Sequence, residues 1–403
     1  MTSSVGAEDT ADSPRAKFPR DIRWLAVARL VSEMGDELAL IALVFKLKDS
    51  GTTAISMLLA VFAGTRILLA PLAGSIVDRF PTRRLGTSVS CGQFMVTVLL
   101  SFMDGWSVYP LVFFLAMGGS IIGPTWLSFI AHVVPAENLS RTYAFIQSYR
   151  SLAIVAGAGV GGFIVDRFGS DFALLIDAGT FLFVAAVGAT LTRQRVPTGQ
   201  PRGLSGFARG FVVFARSPVL LWSLILLASF NMSAGVGEVL SAFFVTDDLG
   251  GTAGDYGIIL GTLGASMFVS GAVLSRYQPR LGDTTMLMMS AIVCACGMTT
   301  YGIAPSIPLA VVAFVVTGIG LTGLHVFGTP VLVRQTNEQD RGRVFAAPSS
   351  VTVGGMLLAT GIANVMGELF PPRPILVGAA LACQLSALIG GSQIRRYDKA
   401  RVG

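Results

Sequence analysis

Apolar stretches long enough to cross a bilayer recur along this chain, joined by short polar connections. A membrane-spanning helix needs about 20 apolar residues. Twelve segments meet or approach that length, at about 23–45, 54–77, 86–103, 109–132, 142–165, 172–192, 218–245, 255–275, 284–303, 308–333, 344–368 and 374–394. Charged residues make up only 13% of the 403, against about 25% in an ordinary soluble chain. A water-facing surface could not be covered at that level, whereas a lipid-facing one needs no charge. The 47 Gly fit helices that pack closely through small side chains. The expected architecture is an all-α integral membrane protein with twelve transmembrane helices.

Orientation follows from Lys and Arg, which favour cytoplasmic connections. With both ends of the chain in the cytoplasm, only Lys46, Lys48, Arg167 and Arg373 fall outside. Arg29, Arg66 and Arg150 lie within spans, and every other Lys and Arg is inside. Residues 1–20 are polar and read as a disordered cytoplasmic tail, not a cleavable signal. The expected units are a six-helix half at 21–192, a basic cytoplasmic linker at 193–217, a second half at 218–394 and a tail at 395–403. Localisation to the inner (cytoplasmic) membrane is expected. The basic residues are scattered among connections, which argues against nucleic acid as a partner.

Two repeats bear on symmetry. Gly74-Ser-Ile-Val-Asp78-Arg79-Phe80, followed by Arg83 and Arg84, has a partner at Gly271-Ala-Val-Leu-Ser275-Arg276-Tyr277, followed by Arg280. Arg141 and Phe145 recur as Arg341 and Phe345. Two pseudo-symmetric halves account for both pairs, and substrate sites between such halves lie near the midplane. Gly162-Phe-Ile-Val-Asp166-Arg167-Phe168 also echoes the first motif. On this topology it lies on the opposite face, so it is read as an interface anchor arising by chance.

Gly-x-x-x-Asp-Arg-x-x-x-Arg-Arg at 74–84 resembles the loop between helices 2 and 3 of the major facilitator superfamily, although Phe80-Pro81-Thr82 fills the place of its usual Gly. The resemblance extends to Leu30-Val31-Ser32-x-x-Gly35-Asp36, Val134-Pro135-x-Glu137, Arg150, Gly157-Ala-Gly-Val-Gly161-Gly162, Asp177-Ala178-x-Thr180-Phe181 and Arg341-Gly342-Arg343-Val344-Phe345. It is similar to the drug:proton antiporter branch containing macrolide-efflux and enterobactin-export proteins. The helix 5 signature of such exporters is degenerate, with Ala158 where Pro is usual. The resemblance implies the major facilitator fold. It also implies a latch in which Asp78, supported by Gly74, Arg79, Arg83 and Arg84, joins the inner faces of the halves at helix 11.

Ionisable groups inside a span are costly and mark function by default. Arg29, Glu33, Asp36 and Glu37 share one face of helix 1, with Glu33 about 15 Å in from Arg23 at 1.5 Å per residue. Neighbouring buried carboxyls cannot all ionise cheaply, which suits a group that takes and releases a proton. Glu33 is the first candidate and Asp36 the second; Arg29 and Arg66 are the counter-charges. A static ion-pair network between helices 1 and 2 is the alternative. Arg150, Asp177 and Glu238 are further coupling or substrate candidates, with packing or interfacial hydrogen bonding as the other reading. His132 and His325 read as packing residues. Trp126, Tyr149, Phe230 and Phe327 are candidate substrate contacts, with packing the commoner role for such rings.

No His/Cys/acid constellation suggests a metal, and no Gly-rich loop followed by Lys-Ser/Thr suggests ATP. No cofactor and no enzymatic activity are expected. The residues and the resemblance together lead to a monomeric secondary transporter in the lipid bilayer, exporting a small amphipathic or hydrophobic molecule against inward proton flow. A lipid or lysophospholipid flippase, whose arginines would hold a phosphate, and a non-transporting membrane sensor are the rivals.

Overall fold

The structure is a computed structural model that describes residues 20–133, 152–153, 155–191, 218–276, 282–334 and 341–402. The described residues form twelve helices and no strand. In the first half these are α1 (Arg20–Lys48), α2 (Thr52–Arg79), α3 (Thr82–Phe102), α4 (Val108–Val133), α5 (155–168) and α6 (Ser170–Thr190). In the second they are α7 (Pro218–Phe243), α8 (Ala253–Arg276), α9 (Asp283–Ile303), α10 (Ile307–Arg334), α11 (Arg341–Leu369) and α12 (Pro372–Val402). The linker 193–217, Arg141 and Arg150 lie outside the described residues.

Eight candidate spans among the described residues are long and apolar enough to cross a membrane. α1 falls outside that set because Arg29, Glu33, Asp36 and Glu37 sit in its middle. The helices overrun the apolar segments at both ends: α1 starts at Arg20 and α12 continues to Val402. Apolar length marks the lipid-facing part of a helix, while its hydrogen bonding continues until a turn stops it.

Short turns force successive helices to alternate in direction. One face therefore collects the turns at 49–51, 103–107, 169, 249–252, 304–306 and 370–371, and is called here the turn face. The opposite face carries Arg20, Arg79 and Pro81, and is called the termini face. On the turn face, Gly51 and Gly169 adopt φ of 88° and 86°, a left-handed conformation open to glycine at little cost. On the termini face, Phe80 and Pro81 bridge α2 and α3 in extended backbone, with φ of −112° and −60°. A turn built this way needs no positive φ, so Phe-Pro replaces the family's glycine without strain.

The apolar core is distributed unevenly between the faces. Near the turn face one cluster joins both halves: Leu38–Leu47 of α1 and Ile55–Leu59 of α2 pack with Val239–Val245, Tyr256, Tyr301, Ala359 and Ile375. Toward the termini face the described clusters separate by half. Leu25, Trp126, Phe129 and Val184 form one; Leu287 with Phe327, and Leu226 with Ala291 and Ala387, form others. Among the described residues, the halves thus share one core at the turn face and have separate cores toward the termini face.

Candidate functional site: an ionisable cluster where the shared core ends

Asp36 and Glu37 immediately precede the stretch of α1 that enters the shared core, and Glu238 immediately precedes the matching stretch of α7. Asp36, Glu238 and Arg66 of α2 are exposed although each lies well inside its helix. They do not point to a common lipid surface. Arg66 interacts electrostatically with Glu238 across the two halves. Glu238 and Glu37 both act on Tyr256 of α8, which also neighbours Tyr301 of α9. Charges of both signs from three helices, α1, α2 and α7, therefore lie together beside the shared core.

Close helix packing fixes these positions. A Cβ at Gly157 would lie 2.9 Å from Glu37 Cβ and 2.7 Å from the Met34 carbonyl, so α5 rests on the backbone of α1 beside Glu37. Gly35 lets α6 approach α1 in the same way, for a Cβ there would lie 2.6 Å from Thr180 Oγ1 and collide with Asp177. Asp177 is completely buried. Its Oδ1 accepts the Thr180 hydroxyl at 3.1 Å, its Oδ2 has no hydrogen-bond partner among the described residues, and it interacts electrostatically with Asp36. A buried carboxyl with an unsatisfied oxygen is costly unless protonated or paired.

The other candidates are placed differently. Glu33 pairs with Arg29 one turn away on α1, and both are partly buried. Arg79, Arg83 and Arg84 are exposed at the termini face. Gly74 lies in α2, but its surroundings, the side chain of Asp78 and all of Arg150 lie outside the described residues. Trp126, Phe230 and Phe327 are buried within the core of their own half, which assigns them to packing, while Tyr149 lies outside the described residues. His325 is exposed toward the termini face, and the His132 side chain is not among those described.

The sequence did not single out the groups that close the turn face. Lys48 Nζ lies 2.9 Å from Asp247 Oδ1 and 5.4 Å from the centre of the Phe243 ring. The Thr53 hydroxyl is 2.6 Å from Glu368 and 2.9 Å from Asn364. These are the hydrogen bonds and ion pairs described between the halves, and all lie at the turn face. A cavity of about 400 Å³ opens at that seam, lined by Thr53, Phe243, Asp247 and Glu368 among others. Within the first half, buried Lys46 reaches Asp171 at 2.5 Å and Asp104 at 3.2 Å, tying α1 to the ends of α3 and α6. The signal in the sequence was the placement of acids and lysines at the turn-face helix ends, whose pairing needed the topology.

The comparisons with known proteins agree with this architecture. The family described as transmembrane secretion effector matches residues 13–400. The uncharacterized MFS-type transporter YfiS of Bacillus subtilis (strain 168) is 22% identical over 374 residues, 89% of each chain. Multidrug resistance protein 1 of the same organism is 30% identical over 217 residues, 52% of this chain and 53% of its own. The lysophospholipid transporter LplT of Photorhabdus laumondii is 24% identical over 338 residues, 81% of this chain and 83% of its own. Among solved structures, a POT family transporter in complex with 5-aminolevulinic acid superposes with a TM-score of 0.75 at 12% identity, covering 93% of this chain and 97% of that one. An inward-facing, unoccupied bacterial homolog of the lysosomal transporter Spinster gives 0.67 at 13% identity, covering 94% and 95%. At such identities the structural likeness speaks for the fold, and the family match along nearly the whole chain speaks for descent: the protein belongs to the major facilitator superfamily, within its transmembrane secretion effector family.

Proposed function

We propose that this protein is a proton-coupled exporter of small amphipathic or hydrophobic compounds that works by alternating access. The observation that carries the reading is a set of charges at the edge of the shared core, in which Arg66 acts on Glu238, Glu37 and Glu238 both act on Tyr256, and Asp36 is exposed next to Glu37. Charge held among apolar helix faces needs a compensating role, and binding cargo or a proton supplies one. The turn face is then the outer face, both chain ends are cytoplasmic, and the cleft opens inward. Multidrug resistance protein 1 and the efflux pump PmrA of Streptococcus pneumoniae, which is 23% identical over 242 residues, support efflux by their names. Direction, coupling ion and a monomeric state belong to this proposal.

Mechanistically, Arg66 faces Glu238 when no cargo is bound, and the two neutralise one another. Cargo entering the cleft displaces that pairing, and protons taken up from outside reset the carboxyls after release. The second reading is lysophospholipid transport, favoured by the relative LplT and by an exposed guanidinium at Arg66 able to hold a phosphate. Proteoliposomes under an imposed pH gradient, assayed with a panel of drugs and with a lysophospholipid, separate the readings. Gradient-driven movement of drugs uncompeted by lysophospholipid supports export; movement of lysophospholipid alone would replace it.

A further inference from the structure

The motif at 162–168 matches that at 74–80 at every position but the second: Gly-x-Ile-Val-Asp-Arg-Phe. Its position makes it more than an accidental echo. α2 ends with its copy at the termini face, and α5 ends with its copy at the turn face. Within each six-helix half of this fold, the two three-helix units are related by inverted topology. α2 and α5 are the middle helices of those units and run in opposite directions. An inverted repeat therefore places equivalent residues of the two at opposite faces, where these two motifs lie.

The contacts of the second copy cross between the halves. A Cβ at Gly162 would lie 2.7 Å from Gly257 Cα, and one at Gly257 would lie 2.6 Å from the Ala158 carbonyl, so α5 and α8 touch backbone to backbone. One turn further, Asp166 Oδ2 lies 3.5 Å from where a Cβ on Gly254 would stand. Gly254 belongs to the first turn of α8, whose amides carry partial positive charge that favours a carboxylate. That turn already has a local cap: Thr252 Oγ1 accepts the Gly254 amide at 3.1 Å, and Asp255 Oδ2 accepts the Thr252 amide at 2.9 Å. Asp166 is therefore an added charge brought from the other half, not the cap the helix needs in order to form. In the first copy the family resemblance sets Asp78 against α11.

We propose that Asp166 is a positioning residue for alternating access: it holds the turn face shut by docking on the first turn of α8, as the inverted counterpart of Asp78 at the termini face. Resting on the alternating-access reading above, this gives each face its own aspartate, and the two dock in turn. In the present structure the turn face is closed, and the exposed Asp166 stands beside the first turn of α8. Opening that face separates α5 from α8 and strips Asp166 of the helix terminus.

Hydrogen–deuterium exchange of the full chain in lipid nanodiscs, without cargo, tests this. Asp166→Asn is expected to raise amide exchange at 249–258 and 364–370 by about two- to fivefold, the range for losing one charge–terminus interaction. Exchange near 79–84 should fall at the same time. Asp78→Asn should move both regions in the reverse direction, Asp166→Glu should restore the native pattern, and Arg167→Gln, at the adjacent exposed side chain, should leave it unchanged. Absence of an exchange change in Asp166→Asn, or the same direction of change in both Asn variants, would overturn the proposal. Because no substrate or gradient is present, the result stands apart from whether the protein exports anything.

Discussion

At the scale of single residues, the charges in the bundle divide by what they can reach. Glu33 is engaged by Arg29 on its own helix, whereas Glu238 faces Arg66 from the other half. Arg66→Ala is therefore expected to abolish gradient-driven transport in the same liposome assay. Gly35 leaves little room for change: the added methyl of Gly35→Ala would strike the Asp177 and Thr180 side chains. Overpacking of this kind costs about 1–3 kcal/mol, so a lowered melting temperature in detergent is expected, with the Asp36–Asp177 neighbourhood spread apart. The helix 1 cluster was legible in the sequence because ionisable residues stand out against apolar neighbours. Which acid faces the cleft was not legible, since Glu33, Asp36 and Glu37 share one face of α1 and only the packing of α5 and α6 distinguishes them.

At the scale of helices, contacts at the turn face rest on a few polar pairs and on close glycine crossings. Lys48 and Asp247 are partly solvated, with side-chain exposures of 17% and 55%, so a double-mutant cycle on Lys48→Ala and Asp247→Ala should give a coupling of only about 0.2–1 kcal/mol. The α5–α8 crossing is less tolerant. Gly257→Ala would press a methyl onto the Gly162 and Ala158 backbones, and backbone cannot rotate out of the way. That variant should favour an open turn face, seen as faster exchange at 249–258 than in the native chain. Helix number and order were readable from apolar length alone. The partner of each helix was not, because hydropathy marks the lipid-facing part of a helix and is silent on its neighbour. The motif at 162–168 illustrates that gap: read in one dimension it is a stray copy, and the inverted-repeat role proposed for Asp166 depends on knowing that α5 lies against α8.

At the scale of the whole molecule, one core joins the halves at the turn face and the described cores separate toward the termini face. On the proposed alternating-access reading, that asymmetry sets the ionisable groups at the floor of a cleft between the two halves. The most direct test measures accumulation of an exported compound in proteoliposomes under an imposed pH gradient, comparing the native protein with Glu238→Gln. The account predicts uphill accumulation by the native protein that vanishes when the gradient is collapsed, and downhill movement without accumulation by Glu238→Gln. Accumulation that persists without a gradient, or that is unchanged in Glu238→Gln, Asp36→Asn and Glu37→Gln alike, would contradict it.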